Sequence, residues 1–348
     1  MSVPPTPAAP QGAGLAECVI AWQRQHGRHT LPWQRTRDPY RVWLSEIMLQ
    51  QTQVSTVLDY YARFMARFPD VQALASAPLD DVLAQWSGLG YYSRARNLHR
   101  CAQAVVAQHG GRFPDSAAGL ATLPGIGRST AAAIAAFCHG ERVAILDGNV
   151  KRVLTRVLGF DGDLAEARHE KQLWALAESL LPQTGIETYT QGLMDLGATV
   201  CTTRQPRCDA CPLTARCAAK AQGRPQDYPV KTRKLRRRAW AHALLWLTQG
   251  DRVWLVQRPP RGVWAGLWTL PQADEAAAWL EWAALAGATA QVGPSFVHVL
   301  THADWTLTPV RVALADDAPA PAALEGRWFA RDDALALGLP APIRRLIS

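Results

Sequence analysis

No stretch of the 348-residue chain is apolar for long enough to cross a membrane. Its opening, MSVPPTPAAPQGAG, lacks the basic start and apolar centre of a secretory signal. It is uncharged and rich in proline and alanine, and reads as a disordered tail over residues 1–13. These two absences predict a cytoplasmic protein with no membrane partner. Cysteine is sparse: seven residues, an odd number, which in such a chain argues against a disulfide framework. Acidic side chains are also in deficit, 29 against 37 lysines and arginines. The resulting net charge of +8 favours a polyanionic partner. Strand patterns are missing as far as Leu158, so this part reads as all-α. Apolar residues, at 48%, suffice for real cores, and the length fits two or three domains.

Helical spacing predicts helices at Leu15 to His26, Ala77 to Trp86, Ser93 to His109, Leu164 to Leu181 and Glu187 to Val200. From Arg224 to Arg238 the text changes to RPQDYPVKTRKLRRR, with seven basic residues and one acid, an interdomain linker that could lie along the phosphates of a polyanion. After it, AHALLWLTQGDRVWLVQRP predicts two strands joined at Gln249-Gly250-Asp251. Asp274 to Leu285 reads as a helix, and Phe296 to Ala315 and Arg327 to Phe329 contain strands. The expected domains are therefore residues 14–223, helical, and 239–348, a smaller α/β domain, joined by the linker 224–238.

The chain is organised around residues 116–158. A short helical run, Ser116 to Leu123, leads into the turn Pro124-Gly125-Ile126-Gly127 and an alanine-rich helix from Ser129 to Phe137. N–H groups at Gly125, Gly127 and the following helix start would make a seat for one phosphate. About twenty residues on stands Leu146-Asp147-Gly148, after which Asn149 can cap a further helix with Val150, Val153, Leu154, Val157 and Leu158 on one face. On the residues alone this is either an anion-binding hairpin with a carboxylate beside it or an ordinary helical hairpin. Earlier in the chain, WLSEIMLQQTQV sets Glu46 among Trp43, Leu44, Ile47 and Met48. Such a carboxyl is either on a wet helix face or in a dry pocket. In a dry pocket its pKa rises and it can carry a proton at neutral pH. Together with Asp147 it would supply the acid and the carboxylate of glycoside cleavage. Cys201, Cys208, Cys211 and Cys217 follow the spacing C-x6-C-x2-C-x5-C, a donor set for one metal centre. With a single CxxC pair it suits iron–sulfur somewhat better than zinc.

LPGIGRSTAAAI followed by ILDGNVKRVL resembles the helix–hairpin–helix and Gly/Pro–Asp motif of base-excision DNA glycosylases. Together with WLSEIMLQQTQ and the cysteine loop, it is similar over nearly the whole chain to adenine DNA glycosylases of the MutY type. The resemblance implies an all-α glycosylase fold of two helical subdomains, with the helix–hairpin–helix at 116–137, a 4Fe–4S loop at 201–217 and a C-terminal Nudix-like domain. It implies a monomer acting on double-stranded DNA with adenine opposite 8-oxoguanine or guanine. Glu46 takes the role of protonating adenine at N7. Asp147 stabilises the oxocarbenium ion, and Asn149 is its hydrogen-bonding helper. Gln51 and Tyr91 match positions that wedge into the base stack, with Thr52 and Leu89 beside them, while Trp33 and Gln191 fall where relatives line the adenine pocket. Gly125, Gly127, Ser129 and Lys151 belong to the DNA-binding hairpin and its helix. Thr301 and His302, in Leu300-Thr301-His302, stand for a lesion-contacting Phe-Ser-His motif whose aromatic is absent here. The helix DEAAAWLEWAALAG lacks the REXXEE pattern of a working Nudix hydrolase, so this domain is expected to read rather than hydrolyse.

Ser129 separates this expectation from its nearest rival. Where endonuclease III relatives carry a strand-cutting lysine, GRSTAAAI has serine, which cannot form a Schiff base. The alternatives are an endonuclease III-like glycosylase/lyase and a non-catalytic DNA-binding iron–sulfur protein.

Overall fold

The computed structural model describes residues 14–232, 236–319, 321 and 324–348. The expected tail, 1–13, and the middle of the basic linker, 233–235, lie outside these residues. Helices come first: α1 (Leu15–His26), α2 (Pro39–Met48), α3 (Val54–Arg67), α4 (Val71–Ser76), α5 (Leu79–Trp86) and α6 (Ser93–His109). They continue with α7 (Ala117–Leu120), α8 (Arg128–His139), α9 (Gly148–Leu158), α10 (Ala167–Ser179), α11 (Ile186–Thr199) and α12 (Ala218–Ala221). Then come β1 (Arg238–Gln249), β2 (Arg252–Gln257), β3 (Trp268–Thr269), β4 (Gln272–Ala273), α13 (Ala276–Leu285) and β5 (Ala290–Val292). β6 (Phe296–Val299), β7 (Ala303–Leu314), β8 (Arg327–Ala330), α14 (Arg331–Ala336) and α15 (Ala341–Ile347) close the chain. Among the described residues no helix is long and apolar enough to cross a membrane.

The chain divides into two compact units. The first takes its described residues from Met1–Gln51 and Ala104–Lys234, the second from Thr52–Gln103 and Leu235–Ser348. In the first unit α8 is buried along Ala131–Ala136, and the small side chains let α2, α7 and α11 approach it. α9 buries Val150, Val153, Leu154 and Val157 as its spacing demands, while Leu158, expected on the same face, is exposed. The cap of α9 also differs from expectation. Asp147 caps it, accepting the Val150 N–H at 2.8 Å, and Asn149 lies inside the first turn, where a capping side chain has no role. α1 lies on α11 at Gly192, where an added Cβ would stand 2.6 Å from Val19 Cγ1.

In the second unit α3 packs on α5, with Phe64 edge-on to Trp86 at 6.1 Å. The helix expected from Ala77 begins at Leu79, because Pro78 holds Ala77 extended. The sheet is mixed. β1 and β7 run parallel from Arg238↔Ala303 to Gln249↔Leu314, and β2 turns back on β1 through Gly250. β8 pairs with β2, and β5 and β6 both pair with β7. α13 covers β1 and β7 over a core of Ala243, Leu245, Leu247, Trp279 and Val310.

Candidate active site

The first unit brings Glu46 and Asp147 together, 101 residues apart in sequence. α2 buries Trp43, Leu44, Ser45, Ile47 and Met48 around Glu46, which is itself half-buried with its carboxyl largely withdrawn from solvent. Loss of solvation, and secondarily the charge of Asp147, push the Glu46 pKa up to about 8. Glu46 therefore holds its proton at neutral pH. Burial also raises Asp147 above the usual carboxylate range. Opposing this, it accepts from the Val150 and Asn149 N–H groups at the positive end of α9, and Arg152 and Lys151 lie nearby. One carboxyl is thus kept neutral by desolvation, and the other has a set of partners that favour its anion.

Asn149 meets Asp147 through its backbone N–H, while its side-chain oxygen accepts from Arg152 at 2.8 Å. Ser129, at the start of α8, accepts the Leu146 N–H at 3.1 Å and so fastens the residue before Asp147. The hairpin has Gly125 in the left-handed region at φ 77° and Gly127 as the extended cap of α8. An added Cβ at Gly127 would meet nothing within 4 Å, so crowding inside the protein does not require this glycine. The first rung of α8 is Ala131 N–H to Gly127 O, which leaves the N–H groups before it without helical partners. Two nearby cations are turned elsewhere. Arg128 pairs with Glu178 and lies 3.9 Å over the Trp174 ring, and Lys151, expected on phosphate, pairs with Glu170.

Trp33 is buried on the turn Pro32–Gln34. Gln191 donates to Asp195 at 2.9 Å, and the fully buried Asp195 accepts from the Arg28 side chain at 2.7 Å. Sequence reasoning missed Arg28 and Asp195; the i, i+4 spacing of Gln191 and Asp195 on α11 was the available signal. Both polar atoms of the Gln34 amide are buried without a hydrogen-bond partner among the described residues.

Cys201, Cys208, Cys211 and Cys217 line one cleft. Arg156, also missed, is buried beneath it and donates to Thr202 O at 2.7 Å, Thr203 O at 3.0 Å and the Cys201 sulfur at 3.3 Å. Arg152, one turn back, donates to Cys201 O at 2.7 Å, so α9 carries Asp147 at its start and the cysteine loop along its side. Burial first, and the other thiols after it, push Cys211 up to about 12. Four soft donors with a guanidinium against one of them fit a thiolate-bound centre. Among the described residues no three His, Cys, Asp or Glu groups gather as a site for a single metal ion. The other cysteines, Cys18 and Cys101, are buried, and Cys138 is half-buried.

The remaining candidates divide between the units. Gln51, exposed, ends the first unit with φ 57°, and Tyr91, exposed in the second, has φ 48°. Non-glycine residues in this region are strained and concentrate at functional sites. In the second unit Leu89 is buried, and Thr52 accepts from Arg94 at 3.2 Å. Arg94, buried and missed by the sequence, also donates to Leu89 O and Gly90 O and lies 5.5 Å over the Tyr91 ring. Tyr92 has its hydroxyl engaged with the Gly88 N–H and Leu339 O. Thr301 and His302 are exposed at the tip between β6 and β7, where His302 stands edge-on to Trp240 at 5.3 Å.

A family model described as HhH-GPD superfamily base excision DNA repair protein matches residues 44–179, and a NUDIX domain model matches residues 242–348. The chain is similar to the adenine DNA glycosylase of Buchnera aphidicola subsp. Acyrthosiphon pisum, at 34% identity over 96% of each chain. The human adenine DNA glycosylase is 37% identical over 73% of this chain and 56% of its own length. Among solved structures, a thermostable thymine-DNA glycosylase superposes with a TM-score of 0.54 at 28% identity, over 60% of this chain and 95% of that one.

Proposed function

The chain belongs to the adenine DNA glycosylases, enzymes of base-excision repair, and on that footing we propose that it removes adenine paired with 8-oxoguanine, and less readily with guanine, leaving the DNA strand uncut. The observation that carries this reading is the Glu46 carboxyl, held neutral near pH 7 beside Asp147. An adenine inside a duplex must first be flipped out. Gln51 and Tyr91 are the wedge residues for this step, with Thr52 and Leu89 close to them in the sequence. Trp33 and Gln191 line the pocket. Gln34 adds an amide whose free donor and acceptor suit the adenine edge.

Glu46 then gives its proton to N7 of the bound adenine. The glycosidic electron pair leaves with the neutral purine, and the Asp147 carboxylate faces the positive sugar left behind. Water adds at C1′ and gives up a proton, completing hydrolysis. Asn149 holds Asp147 through its N–H. Ser129 offers no amine, and its oxygen accepts from Leu146, so no Schiff base forms and the strand stays intact. Gly125, Gly127 and the start of α8 seat a phosphate, and Lys151 joins them on release from Glu170. Cys201, Cys208, Cys211 and Cys217 would hold a 4Fe–4S cluster, which when bound supplies a cross-link for the loop and no step of the hydrolysis. Thr301 and His302 contact the base opposite the adenine.

The test is a duplex carrying adenine opposite 8-oxoguanine, incubated with the protein and split with and without hot alkali. A break at the adenine position only after alkali is the expected result. A break without alkali would overturn the monofunctional reading. No break in either half, with the duplex bound, would overturn catalysis.

A further inference from the structure

Within the first unit, α10 carries Glu170, Trp174 and Glu178 at four-residue spacing, which sets them on one stripe of the helix. Each of the three meets a cation supplied by another helix. Glu170 pairs with Lys151 near the start of α9, and Glu178 pairs with Arg128, the first residue of α8. Trp174, packed on the core of the unit, lies 3.9 Å from the same Arg128 guanidinium. These two cations flank the hairpin and the acid beside it. Arg128 follows Gly127 directly, and Lys151 stands four residues after Asp147. Ser129 joins the two places by accepting the Leu146 N–H at 3.1 Å. Neither ion pair is sealed, since the four charged side chains are between 27% and 57% exposed.

A duplex backbone seated on the hairpin N–H groups brings phosphate charge to this same place. Phosphate and carboxylate then compete for two cations, and the two acids repel the incoming backbone. Exposed ion pairs of this kind are weak, so a phosphate held by the hairpin can displace them. We propose that Glu170 and Glu178 are internal stand-ins for DNA phosphates: in the free protein they latch Lys151 and Arg128, and a duplex binds the hairpin by displacing them. Arg128 thereby becomes a second cationic backbone contact beside Lys151. The latch lowers the affinity for DNA of any sequence, and so shortens each stay on undamaged duplex. This inference rests on the reading that the hairpin seats a backbone phosphate.

The experiment is fluorescence anisotropy of the full chain on an undamaged duplex over a series of salt concentrations, which leaves excision out. It uses the wild-type protein, Glu170→Gln, Glu178→Gln, Lys151→Met, Arg128→Met and Glu170→Gln combined with Lys151→Met. Glu166→Gln is the control, because it removes a charge from the start of the same helix whose partners are Arg168 and His169. Glu170→Gln and Glu178→Gln should each raise affinity about threefold, the scale of an exposed ion pair. Glu166→Gln should do less, and Glu170→Gln should do little once Lys151 is gone. Lys151→Met and Arg128→Met should each flatten the slope of log affinity against log salt by about 0.9, while the Gln variants leave that slope in place. A slope untouched by the Met variants and steepened by the Gln variants would mean the pairs stay closed on DNA, and would overturn the latch. An equal gain from Glu166→Gln, or a gain from Glu170→Gln that persists without Lys151, would reduce the effect to bulk charge and overturn it as well. Gly127→Ala tests the seat itself, since its methyl enters space that the protein leaves open. Unchanged affinity in Gly127→Ala would overturn the seat and the latch with it. Weaker binding there, with the Gln variants at wild-type affinity, would overturn the latch alone.

Discussion

Glu46 illustrates how a residue can be costly to the fold and suited to giving up a proton. Its pKa is raised from 4.5 to about 8, so the folded state prefers the protonated form. Below pH 4.5 the carboxyl is neutral in both the folded and unfolded chain, and no penalty arises. As pH rises from 4.5 towards 8 the unfolded chain ionises freely while the folded one resists, and stability falls. At pH 7 the penalty is on the order of 3 kcal/mol. Glu46→Gln should therefore raise the melting temperature at pH 7, with the gain vanishing near pH 4. Excision should drop by about 10²- to 10⁴-fold at the same time. A variant that loses activity with equal stability change at both pH values would mean the carboxyl is solvated. The sequence revealed that Glu46 stood among apolar residues, but not which way it faced. Ser129 was readable as the absence of an amine, while its bond to the Leu146 N–H depends on a backbone seventeen residues away.

At the scale of elements, α9 carries the site. Its first turn fixes Asp147, and Arg152 and Arg156 on its side fasten the cysteine loop. α11 crosses it at Gly197, where an added Cβ would stand 2.6 Å from Asn149 Cβ and 3.1 Å from Asn149 O. Because backbone is among the atoms met, Gly197→Ala forces the helices apart. The expected cost is about 1–3 kcal/mol in urea unfolding. The excision rate should fall more than duplex affinity does, since Asn149 adjoins Asp147. Equal losses in rate and affinity would mean α9 moves as a rigid body without disturbing its cap. Helices with strong amphipathic spacing, Leu15–His26 and Ser93–His109, were legible to their ends. The two-residue strands β3 and β4 were not, because a period cannot be read from so few side chains. Asn149 was mistaken for the cap because both it and Asp147 are capping types, and only the backbone distinguishes them.

For the whole molecule, the change of character at the basic linker was plain, but the partnership of residues 52–103 with the C-terminal segment was not. That partnership rests on pairings between distant residues. Arg96 donates to Ala265 O at 2.6 Å, Ser87 to Leu339 O at 2.9 Å and the Trp268 indole to Asp80 at 3.4 Å. No local pattern announces such contacts. Truncation after residue 232 should therefore do more than remove the sheet. Amide hydrogen exchange should quicken across α3 to α5, while α8, α9 and α11 in the other unit keep their protection. Unchanged exchange across α3 to α5 would mean these helices hold together without the sheet.

The central claim is that Glu46 delivers a proton that its buried setting has kept. The direct measurement is the pH dependence of single-turnover excision on a duplex with adenine opposite 8-oxoguanine, between pH 5 and 10. The rate should fall above about pH 8, approaching about tenfold per pH unit as Glu46 ionises. A rate that collapses between pH 5 and 6, as an ordinary solvated glutamate would dictate, would contradict the account, as would one that stays level through pH 10.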